Sequence, residues 1–110
     1  MTINEIFPKF PNKRTIEHIE DNFAFNREDA IRLLEILLKE NKYIVLGVDV
    51  LDEHLVFTYD QWLLSERKQT NLKEDSCREA KDFIMAYASD RPASLYFFTI
   101  IKADVVLAWL

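Results

Sequence analysis

The groups best suited to chemistry or recognition lie in one stretch, Tyr43–Trp62, which reads YIVLGVDVLDEHLVFTYDQW. Asp49 stands inside an otherwise apolar run, next to Gly47, the only glycine of the chain. The sequence Tyr59-Asp60-Gln61-Trp62 closes the stretch, and Asp52, Glu53 and His54 lie between. Three roles are open to Asp49. A general acid or base needs a second carboxylate or a histidine within hydrogen-bond reach, and spacing fixes no such partner. A structural carboxylate needs a backbone amide or a basic side chain, because an unpaired buried charge is costly. A recognition residue would stand exposed on the outer face of a sheet.

Tyr59, Asp60 and Trp62 set an acid between two aromatic residues. Tyr and Trp make good interface anchors, since they bury much area while keeping a polar handle. Core filling is an equally open role for Trp62. Carboxylates at Asp52, Glu53, Glu66, Glu74 and Asp75 would complement a basic protein surface. A run of charges also serves simply as a solvated face.

Other chemistries find little support. Two histidines and one cysteine, with no CxxC and no HxxxH, do not make a zinc site. One glycine cannot build a glycine-rich phosphate loop. Cys77 falls near the apolar face of a helix, where a small core residue is expected. His18 and His54 read as surface residues. No cofactor and no metal is expected.

The totals fit one domain spanning residues 1–110, of ordinary globular composition with 49% hydrophobic and 30% charged residues. A net charge of −5 repels nucleic acid and anionic membranes and suits a basic partner. A single cysteine allows no internal disulfide. The N-terminus lacks the pattern of a signal peptide, and the apolar C-terminal end is broken by Lys102 and Asp104 before it reaches membrane-spanning length. A soluble, cytoplasmic protein is expected, monomeric or weakly homodimeric.

The elements that must position these groups follow from periodicity. Residues 1–14 carry Pro8 and Pro11 and read as an N-terminal arm lying on the domain, without a long helix. Thr15 is placed to cap a short helix through Phe23. Asn26 is the expected N-cap of a helix with Ala30, Leu33, Leu34, Leu37 and Leu38 on one face, ending near Asn41. Tyr43–Leu51 is a strand in which Ile44, Leu46, Val48 and Val50 share the face toward the helices, and Tyr43, Val45, Gly47, Asp49 and Leu51 the other. Leu51-Asp52-Glu53-His54 is a turn of type I or a slightly longer loop, with a return strand His54–Tyr59. Asp60–Thr70 reads as irregular. A helix begins at Asn71, with Leu72, Ser76, Ala80, Phe83, Ile84 and Tyr87 on one face, and ends at Asp90-Arg91-Pro92. Leu95–Ile101 is a strand apolar on both faces and so interior. Val105–Leu110 fits a strand or a short helix equally. The sum is an α+β fold: a small antiparallel sheet, hairpin plus C-terminal strand, with helices packed on one face.

The order V-L-G-V-D-V, F-T-Y-D-x-W, S-E-R and R-E-A-K-x-F-I resembles the immunity protein 40 family, bacterial proteins encoded beside polymorphic or contact-dependent toxins. The resemblance spans about residues 28–101 and is most specific at Gly47-Val48-Asp49 and Tyr59-Asp60-Gln61-Trp62. The glycine before Asp49 is single here, where a richer glycine pattern is expected. The resemblance implies a non-catalytic protein that binds and blocks the C-terminal domain of a cognate toxin, frequently a basic nuclease. Asp49, Glu53, Tyr59, Asp60, Trp62 and Glu66 are then the expected toxin-binding residues. Two rival readings are a small enzyme using Asp49 as general acid or base, and a homo-oligomeric adaptor that pairs Val105–Leu110 between chains.

Overall fold

The computed structural model describes residues 3–17, 19–40, 42–64, 72–91 and 95–104. Helix α1 (Ile3–Ile6) runs into a 3-10 turn at Phe7–Lys9. The order continues with β1 (Arg14–Ile16), β2 (Ile19–Ala24), α2 (Arg27–Glu40), β3 (Tyr43–Leu51), β4 (Phe57–Leu63), α3 (Leu72–Asp90) and β5 (Phe97–Asp104). The fold is α+β, with two small antiparallel sheets. Strands β4, β3 and β5 form one sheet in that order, with β3 central; β1 and β2 form the other.

Helices α2 and α3 cover one face of the larger sheet. The Asn26 carboxamide caps α2, its Oδ1 accepting the Asp29 N–H at 2.8 Å. Ala30, Leu33, Leu34 and Leu37 are buried at helical spacing. Leu38 lies at the rim, 39% exposed, so the apolar stripe is narrower than expected. From α3 come Cys77, Ala80, Ile84 and Tyr87. The N-terminal turns join the same core through Ile6, Phe7 and Phe10, with the rings of Phe10 and Phe25 edge-on at 5.4 Å.

The short helix expected at Thr15–Phe23 is instead the β1–β2 hairpin. This stretch has β-branched and aromatic residues and lacks a helical stripe, so strand pairing wins. β2 lies against β5: Phe25 and Phe98 exchange both backbone hydrogen bonds, at 2.7 and 2.8 Å, and the Asn22 amide donates to the Ile100 carbonyl. That neighbour explains why β5 is buried on both faces although β3, and not β5, is central. β5 also starts two residues later and ends three residues later than expected.

The expected facing of β3 holds only in its second half. Val48 and Val50 meet the helices, but so does Val45, while Leu46 is 37% exposed. The cause is a bulge. Val45 pairs with Lys102 and Gly47 with Ile101, so Leu46 is an extra residue that shifts the alternation by one. At this bulge the Val45 N–H donates to the Ser76 hydroxyl of α3, at 3.3 Å.

Gly47 is needed for close approach. A Cβ there would stand 3.0 Å from the Trp62 carbonyl oxygen and 3.0 Å from Leu63 Cδ2.

Candidate functional site

The hairpin connection is longer than a tight turn. The Asp52 carboxylate accepts the His54 N–H at 2.8 Å and the Val56 N–H at 3.1 Å, folding residues 52–56 into a loop. Leu55 takes a left-handed backbone, φ 62°, and packs on a small apolar cluster with Ile16, Leu51 and Phe97 on the outer sheet face. The return strand therefore begins at Phe57, three residues later than expected, and carries Asp60–Leu63, a stretch expected to be irregular.

β4 holds a second, larger irregularity. Asp49 pairs with Gln61 and Leu51 with Phe57, so Thr58, Tyr59 and Asp60 together face Val50 alone. The Thr58 hydroxyl closes the excursion, donating to the Val50 carbonyl at 3.0 Å and accepting the Asp60 N–H at 3.2 Å. At its apex Tyr59 is left-handed, φ 69°, and 92% exposed. A tyrosine there costs roughly 1–2 kcal/mol of backbone strain. Its ring recovers little of that by burial.

Asp60 is anchored from behind. The Tyr87 hydroxyl of α3 donates to Asp60 Oδ2 at 2.8 Å. The Tyr87 ring is buried, edge-on to Tyr96 at 5.1 Å and to Phe98 at 6.1 Å, with the Arg91 guanidinium 4.0 Å from its centroid. Burial, then the bond to Asp60, raises the Tyr87 phenol above its ordinary range. Asp49 lies on the outer face between Gln61 of β4 and Thr99 of β5. It is half-buried, and this burial pushes its carboxyl up.

Asp49, Tyr59 and Asp60 thus meet around one open depression of about 430 Å³, together with Phe57 and Gln61. Glu53 stands apart on the hairpin loop, its carboxylate 3.5 Å from His54 Nε2. Trp62 points to the helices and packs half-buried against the core; Leu63, not the Trp62 ring, lies over Gly47. Glu66 lies outside the described residues. Sequence reading missed Tyr87, Phe57 and Gln61. The signal for Tyr87 was its hydroxyl, which needs a partner when carried on a buried helix face. A larger depression of about 600 Å³, lined by Arg27, Glu28 and Arg91 among others, contains none of the predicted site residues.

The arrangement suits recognition better than proton transfer. The neighbours of Asp49 across the sheet are an amide and a hydroxyl, neither of which titrates near neutral pH. Burial pushes the Cys77 thiol up to about 11, which leaves it a poor nucleophile. Among the described residues no group of three or more His, Cys, Asp and Glu is placed to hold a metal ion, and no helix is long and apolar enough to cross a membrane.

No curated protein and no solved structure matches the chain. A protein family does: residues 14–101, most of the chain and the whole of the hairpin, match Immunity protein 40. Membership of such a family points to toxin neutralisation, and so to a cognate toxin as partner. The chain belongs to the Immunity protein 40 family.

Proposed function

We propose that this protein neutralises its toxin by binding the toxin's C-terminal domain directly, with the β4 bulge at the centre of the contact. The observation that carries this reading is Tyr59: an aromatic side chain almost wholly in solvent, on a strained backbone, with Asp49 and Asp60 beside it. Strain at an exposed residue is retained where something outside the fold uses it. Aromatic residues at the middle of an acidic patch are the usual anchors for a basic partner.

The toxin domain on this reading is a basic nuclease, and the net charge of −5 supports electrostatic attraction to its substrate cleft. Inhibition is stoichiometric and non-catalytic, in the cytoplasm, by a single-domain monomer or weak homodimer without cofactor. Glu53 contributes from the hairpin loop, at the rim. Glu66 belongs to the same acidic set by sequence. Trp62 acts through the fold, by holding β4 against the core.

The test is association with the toxin domain encoded beside this protein, measured by calorimetry with the purified full chain. The expected result is a one-to-one complex with a dissociation constant of about 1 nM or tighter. Absence of binding at micromolar concentrations overturns the reading.

A further inference from the structure

An open cleft of about 320 Å³ lies between α2 and α3. Its floor is apolar. Leu34 and Cys77 are buried there, and Leu38 stands 39% exposed beside them. The ion pair of Lys81 with Glu35, at 3.5 Å, joins the two helices at one end of the cleft. Leu38 and Glu74 stand at the other end. Among the described residues no ion pair or hydrogen bond engages the Glu74 carboxylate.

A separate observation is where β5 ends. Asp104 pairs with Tyr43, just past the end of α2 at Glu40. The Val45 N–H donates to Ser76, in the first turns of α3. The Leu38–Glu74 end of the cleft and the end of β5 therefore lie at the same end of the sheet. The sequence runs on from there as Val-Val-Leu-Ala-Trp-Leu, residues 105–110, which lie outside the described residues and carry no charge. A run of six apolar side chains gains free energy by leaving water, and so seeks apolar cover.

We propose that residues 105–110 turn back over the end of α2 and seat the Trp109 indole in this cleft, its N–H donating to the Glu74 carboxylate. The inference is independent of the toxin-binding reading. Trp109 is five positions beyond Asp104, a reach of up to about 17 Å in extended chain. That exceeds the width of one helix, roughly 10 Å. Tryptophan suits the cleft because it combines a large apolar body with one donor that needs an acceptor when buried. The segment is uncharged, and Glu35 and Lys81 already answer each other, so nothing ionic is left unpaired by its docking. The tether favours the chain's own segment over that of a second copy. A short linker holds it at an effective concentration of about millimolar, above the micromolar level of free chains.

The experiment is NMR on the full chain at micromolar concentration. The expected result is NOEs from the Trp109 ring protons to the methyl groups of Leu34 and Leu38. Trp109→Ser should move the amide peaks of Leu38, Glu74 and Cys77 and leave those of Asp49 and Tyr59 in place. Leu38→Asp is the second variant and acts from the side of the cleft. In it the NOEs should be lost and the Trp109 indole N–H should exchange with solvent roughly tenfold faster, with unmoved peaks elsewhere reporting an intact fold. Absence of NOEs to these methyl groups overturns the proposal. So do NOEs that cross only between chains in a mixed-label sample, which would place a second copy in the cleft. Shifts in Trp109→Ser that fall on the β4 depression and spare the cleft overturn it as well.

Discussion

Tyr87 and Asp60 join the buried face of α3 to a solvent-exposed bulge through a single hydrogen bond of 2.8 Å. Twenty-seven residues separate them in sequence. Tyr87→Phe keeps the ring packing and removes only the donor. It should cost about 1 kcal/mol of stability, the usual net value of one such bond, read from the urea midpoint. It should also speed dissociation of the toxin, since the carboxylate is no longer held in place. The fold loss is the same with or without toxin, so the two effects separate by kinetics.

Tyr59 sets stability against binding. Tyr59→Gly relieves the left-handed strain, and the folded protein should be as stable as the parent or more so by up to about 1 kcal/mol, despite glycine's larger unfolded-state entropy. Tyr59→Val puts a β-branched residue at a positive φ and should destabilise by about 1 kcal/mol or more. Both should lose toxin affinity by about 2 kcal/mol, roughly thirtyfold. Thermal melts beside calorimetric titrations would show the opposed signs.

Gly47 tests the close approach of β3 and β4. In Gly47→Ala the new methyl meets the Trp62 carbonyl oxygen, a backbone atom that cannot swing away, as well as a leucine methyl that can. The expected cost is about 1–3 kcal/mol, seen as a lower denaturant midpoint with an unchanged slope.

Lys102 makes the stability depend on pH. Its ammonium lies 5.0 Å from the Phe7 ring centroid, and burial pushes it down to about 8. In the unfolded chain it titrates near 10.4. Between these values this lysine binds its proton more tightly in the unfolded state, so its own contribution to stability rises with pH from about 8 to 10, by on the order of 2 kcal/mol. Below pH 8 the penalty is fully present. Cys77 and Tyr87 work in the opposite sense, since a raised thiol or phenol gives stability that is lost as pH rises past its ordinary value toward its raised one. The lysine's share is therefore read as the stability difference between Lys102→Met and the parent, which should shrink by on the order of 2 kcal/mol between pH 8 and 10 in urea unfolding at each pH.

The elements that could be read from the sequence are those whose signal is local. The Asn26 cap and the leucine stripe define α2, and the aliphatic run defines β3, with little help from the rest of the chain. The faces of β3 could not be read through, because the bulge at Leu46 is set by pairing with β5 and not by β3 itself. The β1–β2 hairpin was missed for a similar reason, since its place depends on a neighbour more than seventy residues away, where Asn22 meets Ile100. Of the site, Asp49, Tyr59 and Asp60 were legible as residue types. Their convergence was not, because it depends on three residues of β4 facing one of β3.

The Tyr59 bulge lies on β4, an edge strand of the three-stranded sheet. A regular edge strand offers an evenly spaced row of free amides and carbonyls, a template on which other copies of the chain can polymerise. The excursion at Thr58–Asp60 breaks that row in its middle, and the left-handed residue at its apex cannot continue a flat ladder. The same three residues that carry the strained aromatic thus guard against fibre growth. Straightening β4 by deleting the two extra residues should make the chain more prone to aggregate on concentration, as read by light scattering.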